Sequence, residues 1–196
     1  MLRGMARVRR RGTLLAAVAL ALVAVGCTSA PAQAPPASTA STGAPGAASS
    51  TSVPPGQVRI SGAVRQPGML TADQLAGLPS QTVAVTFGSD KGDERHTETG
   101  VSLFTVIDRA GLALTPGKKH DEVSTGVLVI GSDGYQALVS YGEMAPRLGN
   151  RGVLLATAQD GVPLERPRLV VPGDAQGARY VNGVVELRVL HSTPGA

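Results

Sequence analysis

The sequence predicts a single α+β domain over residues 57–190 of this 196-residue chain. Alternating apolar and polar residues, the pattern of half-buried strands, recur throughout that range. Turn signals rich in Gly and Asp join several of these stretches in pairs, which is typical of hairpins. Two or three short helical patterns interrupt the strands without alternating regularly with them, which favours α+β over a doubly wound sheet.

The first elements follow from local patterns. Residues 58–64 alternate with period two and end at Gln66-Pro67-Gly68, which predicts a strand followed by a turn. Thr71 is a suitable N-cap for a short helix that stops at Pro79. Residues 82–87 alternate again and predict the next strand.

A second helix and two hairpins complete the prediction. Ser102 is expected to cap a helix over residues 103–110, and Gly111 suits the left-handed position that ends it. Ser132-Asp133-Gly134 and Gln159-Asp160-Gly161 are the two hairpin turns. The remaining predicted strands are residues 125–130, 135–140, 153–158, 163–164, 169–171 and 180–190.

The N-terminus has the features of an export signal. A basic stretch with five arginines precedes an uncharged apolar run over residues 14–25, which is short for a membrane span. Residues 24–27, Ala-Val-Gly-Cys, resemble the bacterial lipobox, which implies cleavage after residue 26 and a lipid on Cys27. The alternatives are a transmembrane anchor, or an ordinary signal peptide that leaves Cys27 free. Arg10-Arg11 also loosely resembles a twin-arginine signal.

Cleavage would change the charge of the chain. The precursor carries 18 basic and 14 acidic residues, and the five N-terminal arginines would be lost with no acid, leaving a net charge of −1. Charge therefore predicts no nucleic-acid partner. The predicted location is the extracytoplasmic face of the cell membrane, with the lipid on Cys27 as the membrane contact.

Two segments flank the domain. Residues 27–56 are almost entirely Ala, Pro, Ser, Thr and Gly after Cys27, a composition that predicts a disordered linker. Residues 191–196 are expected to form a tail. Cys27 is the only cysteine of the chain, so the domain has no disulfide and its stability has to come from packing.

Most of the domain resembles the sulfite-oxidase-type molybdopterin-binding domain, in a small, stand-alone lipoprotein form. The likeness spans nearly all of residues 57–190, and its strongest part is Arg168 to Asp174, followed by Gly177-Ala178-Arg179-Tyr180. Asp160-Gly161-Val162-Pro163-Leu164 is a second part. The resemblance implies an α+β fold with a mixed sheet and an oxidoreductase that carries molybdopterin.

The resemblance also implies which residues touch the cofactor. In the family the Pro-Gly and Gly-Ala-Arg segment lies against the pterin and its phosphate, which carries over to Pro172, Gly173, Gly177, Arg179 and Tyr180. Glycines allow close backbone approach to an anion, and an arginine can bind a phosphate with two nitrogens. The alternatives are that the glycines shape a loop and that Arg179 forms an ion pair with Asp174 or Glu186.

Two departures separate this chain from the family. The family holds molybdenum through a cysteine after the strand that corresponds to residues 82–87, but Gly88-Ser89-Asp90-Lys91 follows here. Asn182 stands where the family has a basic residue. A hydroxyl is a poorer ligand than a thiolate for such a metal, so no metal ligand and no catalytic residue is identified.

Two functions remain open at this stage. One is an exported, lipid-anchored oxidoreductase that works with an envelope redox partner. The other is a non-catalytic envelope module that keeps the fold and binds a small anion or a protein. Histidines 96, 120 and 191 are expected to be exposed loop residues, although His96 with Glu94 and Glu98 would suit a weak divalent-cation site.

Overall fold

The computed structural model describes residues 53–192. The predicted signal peptide (1–26), the lipidation site Cys27, most of the predicted linker (27–56) and the last four residues lie outside the described residues. Within residues 53–192, no helix is long and apolar enough to cross a membrane.

Strands predominate in the described domain, and the helices are short. The strands are β1 (Val58–Gly62), β2 (Gly68–Leu70), β3 (Ser80–Ser89), β4 (Gly92–Ser102), β5 (Thr125–Gly131), β6 (Gln136–Ser140), β7 (Leu154–Gln159), β8 (Val162–Val170) and β9 (Val184–His191). The helices are α1 (Ala72–Ala76), α2 (Leu103–Ala110) and α3 (Tyr141–Met144), with 3₁₀ turns at Asp121–Ser124 and Gly177–Arg179.

The strands form two sheets. The first has the order β2-β1-β9-β5-β6 and is mixed, because β1 and β9 run parallel while its other pairs are antiparallel. The second has the order β3-β4-β7-β8 and is antiparallel throughout. This is an α+β-type architecture, as predicted, but with two sheets where the resemblance implied one mixed sheet.

A continuous apolar core joins the two sheets and the helices. Leu154 and Leu155 of β7, Val127 and Val129 of β5, and Leu187 of β9 are all fully buried. Helix α2 contributes one face, on which its buried residues recur with helical spacing. The removal of these aliphatic side chains from water is the main stabilising contribution, because the described residues contain no disulfide.

Local signals predicted the helix starts well. The Thr71 hydroxyl accepts from the Gln74 amide and the Gln74 side chain accepts from the Thr71 amide, a complete capping box. Ser102 stands at the N-cap of α2, but its side chain makes no capping hydrogen bond. Gly111 does follow α2 with a positive φ of 67°, but its ψ of 131° lies outside the left-handed helical region.

Three strand predictions are corrected. The separate strands predicted at 163–164 and 169–171 are one strand, β8, that continues through Pro163 and Pro167. It can do so because β8 is an edge strand, where a proline need not remove a ladder hydrogen bond. Tyr180 precedes β9 instead of belonging to it, and His191 ends β9 instead of opening a tail.

Candidate ligand-binding cavity

A cavity of about 440 Å³ opens where the end of β3 meets the segment that follows β8. It contains two of the predicted cofactor residues, Gly177 and Tyr180, together with the Gly88-Ser89 segment in which the resemblance expects the metal ligand. The full lining is Phe87, Gly88, Ser89, Asp90, Lys91, Glu94, Arg168, Gln176, Gly177, Ala178, Tyr180 and Asn182. The fold therefore brings together residues that lie up to 95 positions apart in the chain, from Phe87 to Asn182.

Backbone contacts hold the two sides of the cavity together. The Gly88 amide donates to the Ala175 carbonyl at 2.9 Å, and Gly88 pairs with Gln176 in an isolated parallel bridge. A Cβ on Gly177 would lie 2.8 Å from the Phe87 ring, closer than packing allows. A side chain at position 177 would therefore collide with β3. The space beside Gly177 is filled by the Phe87 ring and is not open to a ligand.

A buried ion pair lies beside the cavity. Arg168 of β8 donates from a terminal guanidinium nitrogen to Glu98 Oε1 of β4 at 3.2 Å. The Glu98 side chain is 0% exposed and that of Arg168 is 13% exposed. The second oxygen of Glu98 and the Nε of Arg168 are both buried without a hydrogen-bond partner. Burial raises the pKa of Glu98, and the nearby Arg168 charge opposes that rise.

Tyr180 packs against this ion pair and lines the cavity with Arg168. Its ring centroid lies 4.5 Å from that of Phe87, and the Arg168 guanidinium carbon lies 5.4 Å from the Tyr180 ring centroid. Its hydroxyl is buried and has no partner, and burial raises the pKa of Tyr180 to about 12. The phenol is therefore a neutral hydrogen-bond donor over the physiological pH range.

His96 of β4 contacts Asp160 in the β7–β8 turn and Glu94 of its own strand. Its Nδ1 lies 2.7 Å from Asp160 Oδ2 in the β7–β8 turn, and its Nε2 lies 3.2 Å from Glu94 Oε2. The hydrogen bond to Asp160 raises the pKa of His96. His96 is therefore not the exposed loop residue that the sequence predicted. Among residues 53–192, no group of three or more His, Cys, Asp or Glu residues is arranged to hold a metal ion.

Arg179 lies outside the cavity lining and is fully paired. Its Nε and one terminal nitrogen donate to Asp174 at 2.8 and 2.6 Å, and the other terminal nitrogen donates to Glu143 of α3 at 2.8 Å. These carboxylates raise the pKa of Arg179. This is the ion-pair alternative, formed with Asp174. Glu143 is a second partner that the sequence did not predict, and Glu186 pairs with Arg188 instead. Contact between Arg179 and a ligand stays a prediction.

The remaining predicted residues shape the loop after β8. Gly173 has a φ of 86°, in the region that favours glycine, and Pro172 precedes it in the turn. Neither residue lines the cavity. The Tyr135 hydroxyl donates to the Ala178 carbonyl and fixes the far end of the same segment. Pro172 and Gly173 thus position the cavity wall in this structure.

The cavity does not fit molybdenum. Ser89 occupies the region expected for a cysteine thiolate, and its hydroxyl lies 3.3 Å from the Gly92 carbonyl as donor and accepts from the Lys91 amide at 3.0 Å. Asn182 adds no charge. The two arginines of the resemblance segment are both bound to carboxylates, Arg168 to Glu98 and Arg179 to Asp174 and Glu143. Molybdenum would therefore lack its thiolate ligand, and a phosphate would meet Arg179 with all three nitrogens paired and Arg168 shared with Glu98.

Two polar clusters were missed by sequence reasoning. The Glu98–Arg168 pair joins residues 70 positions apart, so no local sequence pattern predicts the contact. The second cluster surrounds His191, whose side chain is only 7% exposed and whose Nε2 lies 2.9 Å from Asp121 Oδ2. Lys118 also pairs with Asp121, at 2.6 Å, and lowers the pKa of that carboxyl. The expectation that His191 is an exposed tail residue was wrong, because β9 carries it into this cluster.

Comparison with known proteins supports the fold. No family model matches this chain, and no curated protein matches it. The solved structure of the sulfane dehydrogenase SoxCD from Paracoccus pantotrophus is similar to it, with a TM-score of 0.56 and 20% sequence identity. The similarity covers 71% of this chain and 39% of the SoxCD chain, so this chain spans well under half the length of that protein. The domain therefore has a fold related to that of SoxCD.

Proposed function

We propose that this protein is an envelope binding module that keeps the fold of a sulfite-oxidase-type domain and binds a small anionic ligand in the cavity beside Arg168, without a metal. One observation carries the proposal. The cavity has a serine where a metal-binding thiolate would stand, yet it retains Arg168 with an unpartnered Nε and Tyr180 with an unpartnered hydroxyl. Buried donors without partners are unfavourable, so an acceptor that reaches them through a movement of the Arg168 side chain, which is 13% exposed, would stabilise the folded domain.

The charges of the lining support a small ligand over a phosphate-bearing cofactor. Arg168 and Lys91 supply two positive charges, and Asp90 and Glu94 supply two negative ones. These charges cancel, which favours a small anion held at one cation over a phosphate-bearing cofactor that needs several. Because the similar solved structure is a sulfane dehydrogenase, sulfur oxyanions are the first ligands to test.

Binding is tested by isothermal titration of the purified chain with sulfate, sulfite and thiosulfate. Arg168→Gln is expected to abolish binding, because the guanidinium provides the charge-assisted hydrogen bond. Arg95→Gln is the matched control, because Arg95 is exposed on β4 and does not line the cavity, and it is expected to leave affinity within about twofold. Equal loss of affinity in both variants would show that the cavity beside Arg168 is not the site.

A molybdopterin-containing oxidoreductase is the second candidate function, favoured by the fold that this domain shares with a dehydrogenase. The test is the molybdenum and pterin content of protein expressed in a cofactor-producing host. Pterin without molybdenum would fit a cofactor held only by its organic part. Stoichiometric molybdenum would overturn the first proposal, because the cavity would then hold a metal.

The location of the module rests on Cys27, so it is proposed as a lipid-anchored protein at the extracytoplasmic face of the membrane. Cys27→Ser is expected to move the chain from the membrane fraction to the soluble fraction and to prevent labelling with a radioactive fatty acid. Retention of Cys27→Ser in the membrane would favour an uncleaved apolar N-terminus as the anchor.

A further inference from the structure

We propose that a small anion binds to Arg168 only as Glu98 takes up a proton, so that ligand binding to this domain is coupled to pH. The inference rests on the proposed function and adds a thermodynamic linkage to the same site. It requires a proton acceptor that competes with the ligand for Arg168 and that can become neutral inside the fold. Glu98 meets both requirements.

The first requirement is met by position. Glu98 Oε1 lies 3.2 Å from a terminal nitrogen of Arg168, and this is the only hydrogen bond recorded for either side chain in residues 53–192. An anion that binds to Arg168 would be placed next to the Glu98 carboxylate. Two negative charges sharing one buried cation repel strongly in a medium of low dielectric constant.

The second requirement is met by the unpaired oxygen. Glu98 Oε2 is buried without a hydrogen-bond partner, and the side chain has no exposed surface. A carboxylate in that state is poorly solvated, so a proton on Oε2 removes an unfavourable charge. The proton comes from solvent, and the carboxylate becomes a neutral carboxylic acid. The Arg168 guanidinium stays protonated and is then free to turn toward the cavity.

The charged groups around Glu98 determine how readily it takes up this proton. Arg168 of β8 and His96 of β4 favour the ionised carboxylate, and Asp160 in the β7–β8 turn favours the neutral acid. Desolvation is the largest influence and outweighs both cations, which raises the pKa of Glu98 from its ordinary value of 4.5. On the neighbouring strands, Glu98 pairs with Val83 and Gln159, neither of which titrates. Tyr180 faces the pair from the segment after β8 and stays neutral in this range, because burial raises its pKa to about 12.

The coupling has a defined sign. Protons favour anion binding, so affinity rises as pH falls through the range in which Glu98 titrates, a range that burial shifts upward from the ordinary value of 4.5. With one coupled proton, the Kd for sulfate is expected to increase by up to about tenfold per pH unit above that range. Sulfate is the appropriate probe because its own charge does not change between mildly acidic and mildly basic pH.

The experiment is isothermal titration of the purified chain with sodium sulfate between about pH 5 and about pH 8, in two buffers of different ionisation enthalpy. Uptake of on the order of one proton per sulfate, with an affinity that falls as pH rises, supports the linkage. Binding without proton uptake and with a constant Kd would overturn it and leave the proposed binding function intact. No sulfate binding at any pH would overturn both.

Variants identify the proton acceptor. Glu98→Gln keeps the side-chain shape and a hydrogen-bond acceptor for Arg168, and it is expected to bind sulfate with a Kd that no longer depends on pH. Glu94→Gln is the matched control, because Glu94 lines the same cavity but contacts His96, and its pH dependence is expected to persist. If His96→Gln abolishes the proton uptake while Glu98→Gln retains it, the proton is on His96 and the inference is wrong.

Discussion

The buried pair of Glu98 and Arg168 predicts an unusual pattern of stabilities in a double-mutant cycle. The single variants Glu98→Met and Arg168→Met each leave one charge without its partner, and removing one member of a buried pair costs about 3–5 kcal/mol. The double variant replaces both charges by apolar side chains of similar length. Its stability is expected to return to within about 1 kcal/mol of the parent, because the desolvation of both charges is also avoided.

The two single variants are expected to differ in their pH dependence. In Arg168→Met the unpaired Glu98 can take up a proton, so its folded-state pKa lies further above the unfolded value of 4.5 than in the parent. A raised carboxyl pKa means that stability is lost as pH rises above the unfolded value. The penalty of Arg168→Met therefore grows from acidic to neutral pH. Glu98→Met itself has no such pH dependence, because arginine remains charged throughout. Its penalty relative to the parent therefore shrinks from acidic to neutral pH, as Glu98 of the parent ionises.

Urea denaturation followed by far-UV circular dichroism, at about pH 5 and about pH 7, measures all four proteins on one scale. Asp93→Asn is the control, because Asp93 is an exposed carboxylate on the same strand and its removal is expected to leave the midpoint unchanged. The prediction is wrong if the double variant loses the sum of the unfolding free energies that the two single variants lose. That result would mean the two side chains do not interact across β4 and β8.

Three further predictions concern the surroundings of the cavity. Arg179→Lys loses the forked contact with its carboxylate partners and is expected to lower the free energy of unfolding by about 1–2 kcal/mol, measured in urea; an unchanged midpoint would contradict the geometry. Gly177→Val places a Cβ 2.8 Å from the Phe87 ring, so the free energy of unfolding is expected to fall by about 1–3 kcal/mol. Sulfate binding is expected to weaken in the same variant, and unaltered binding would argue against this cavity. His96 has a pKa raised above 6.5 by Asp160, so its contribution is present below that pH and is lost as pH rises through the folded-state pKa. The difference in Tm between the parent and His96→Asn should therefore shrink at alkaline pH. A difference that grows would show that protonated His96 does not stabilise the fold through Asp160.

The strands that were predictable from sequence are those with one buried face. In Thr125–Gly131, buried and partly exposed residues alternate without interruption, so periodicity alone identified β5. β4 was missed because Gly92–Ser102 is mostly polar over its first eight residues, and one of its buried positions is Glu98. Tertiary pairing with β3 and β7 makes it a strand, and no local pattern encodes that pairing.

The candidate site was predictable as a location but not as a set of contacts. The glycine-rich segment indicated where backbone approaches backbone, and Gly177 and Tyr180 do lie at the cavity. The partners of Arg179 and Arg168 depend on where α3 and β4 are placed by the rest of the fold. An arginine chosen from its motif alone can therefore be the one whose nitrogens are already occupied, as Arg179 is.

The central position of β9 has a consequence for how the chain is made. β9 lies between β1 and β5, so the hairpins β1–β2 and β5–β6 share no sheet until residues 184–191 have left the ribosome. The parallel contact of β1 with β9 joins Arg59 to Glu186, among the most distant pairings that the described residues contain. Contacts of such long sequence separation slow folding, and unpaired strand edges stay open to other chains in the meantime. During synthesis this protein therefore exposes two incomplete sheet halves that a chaperone can bind, and a ribosome stalled before β9 leaves both without their common partner.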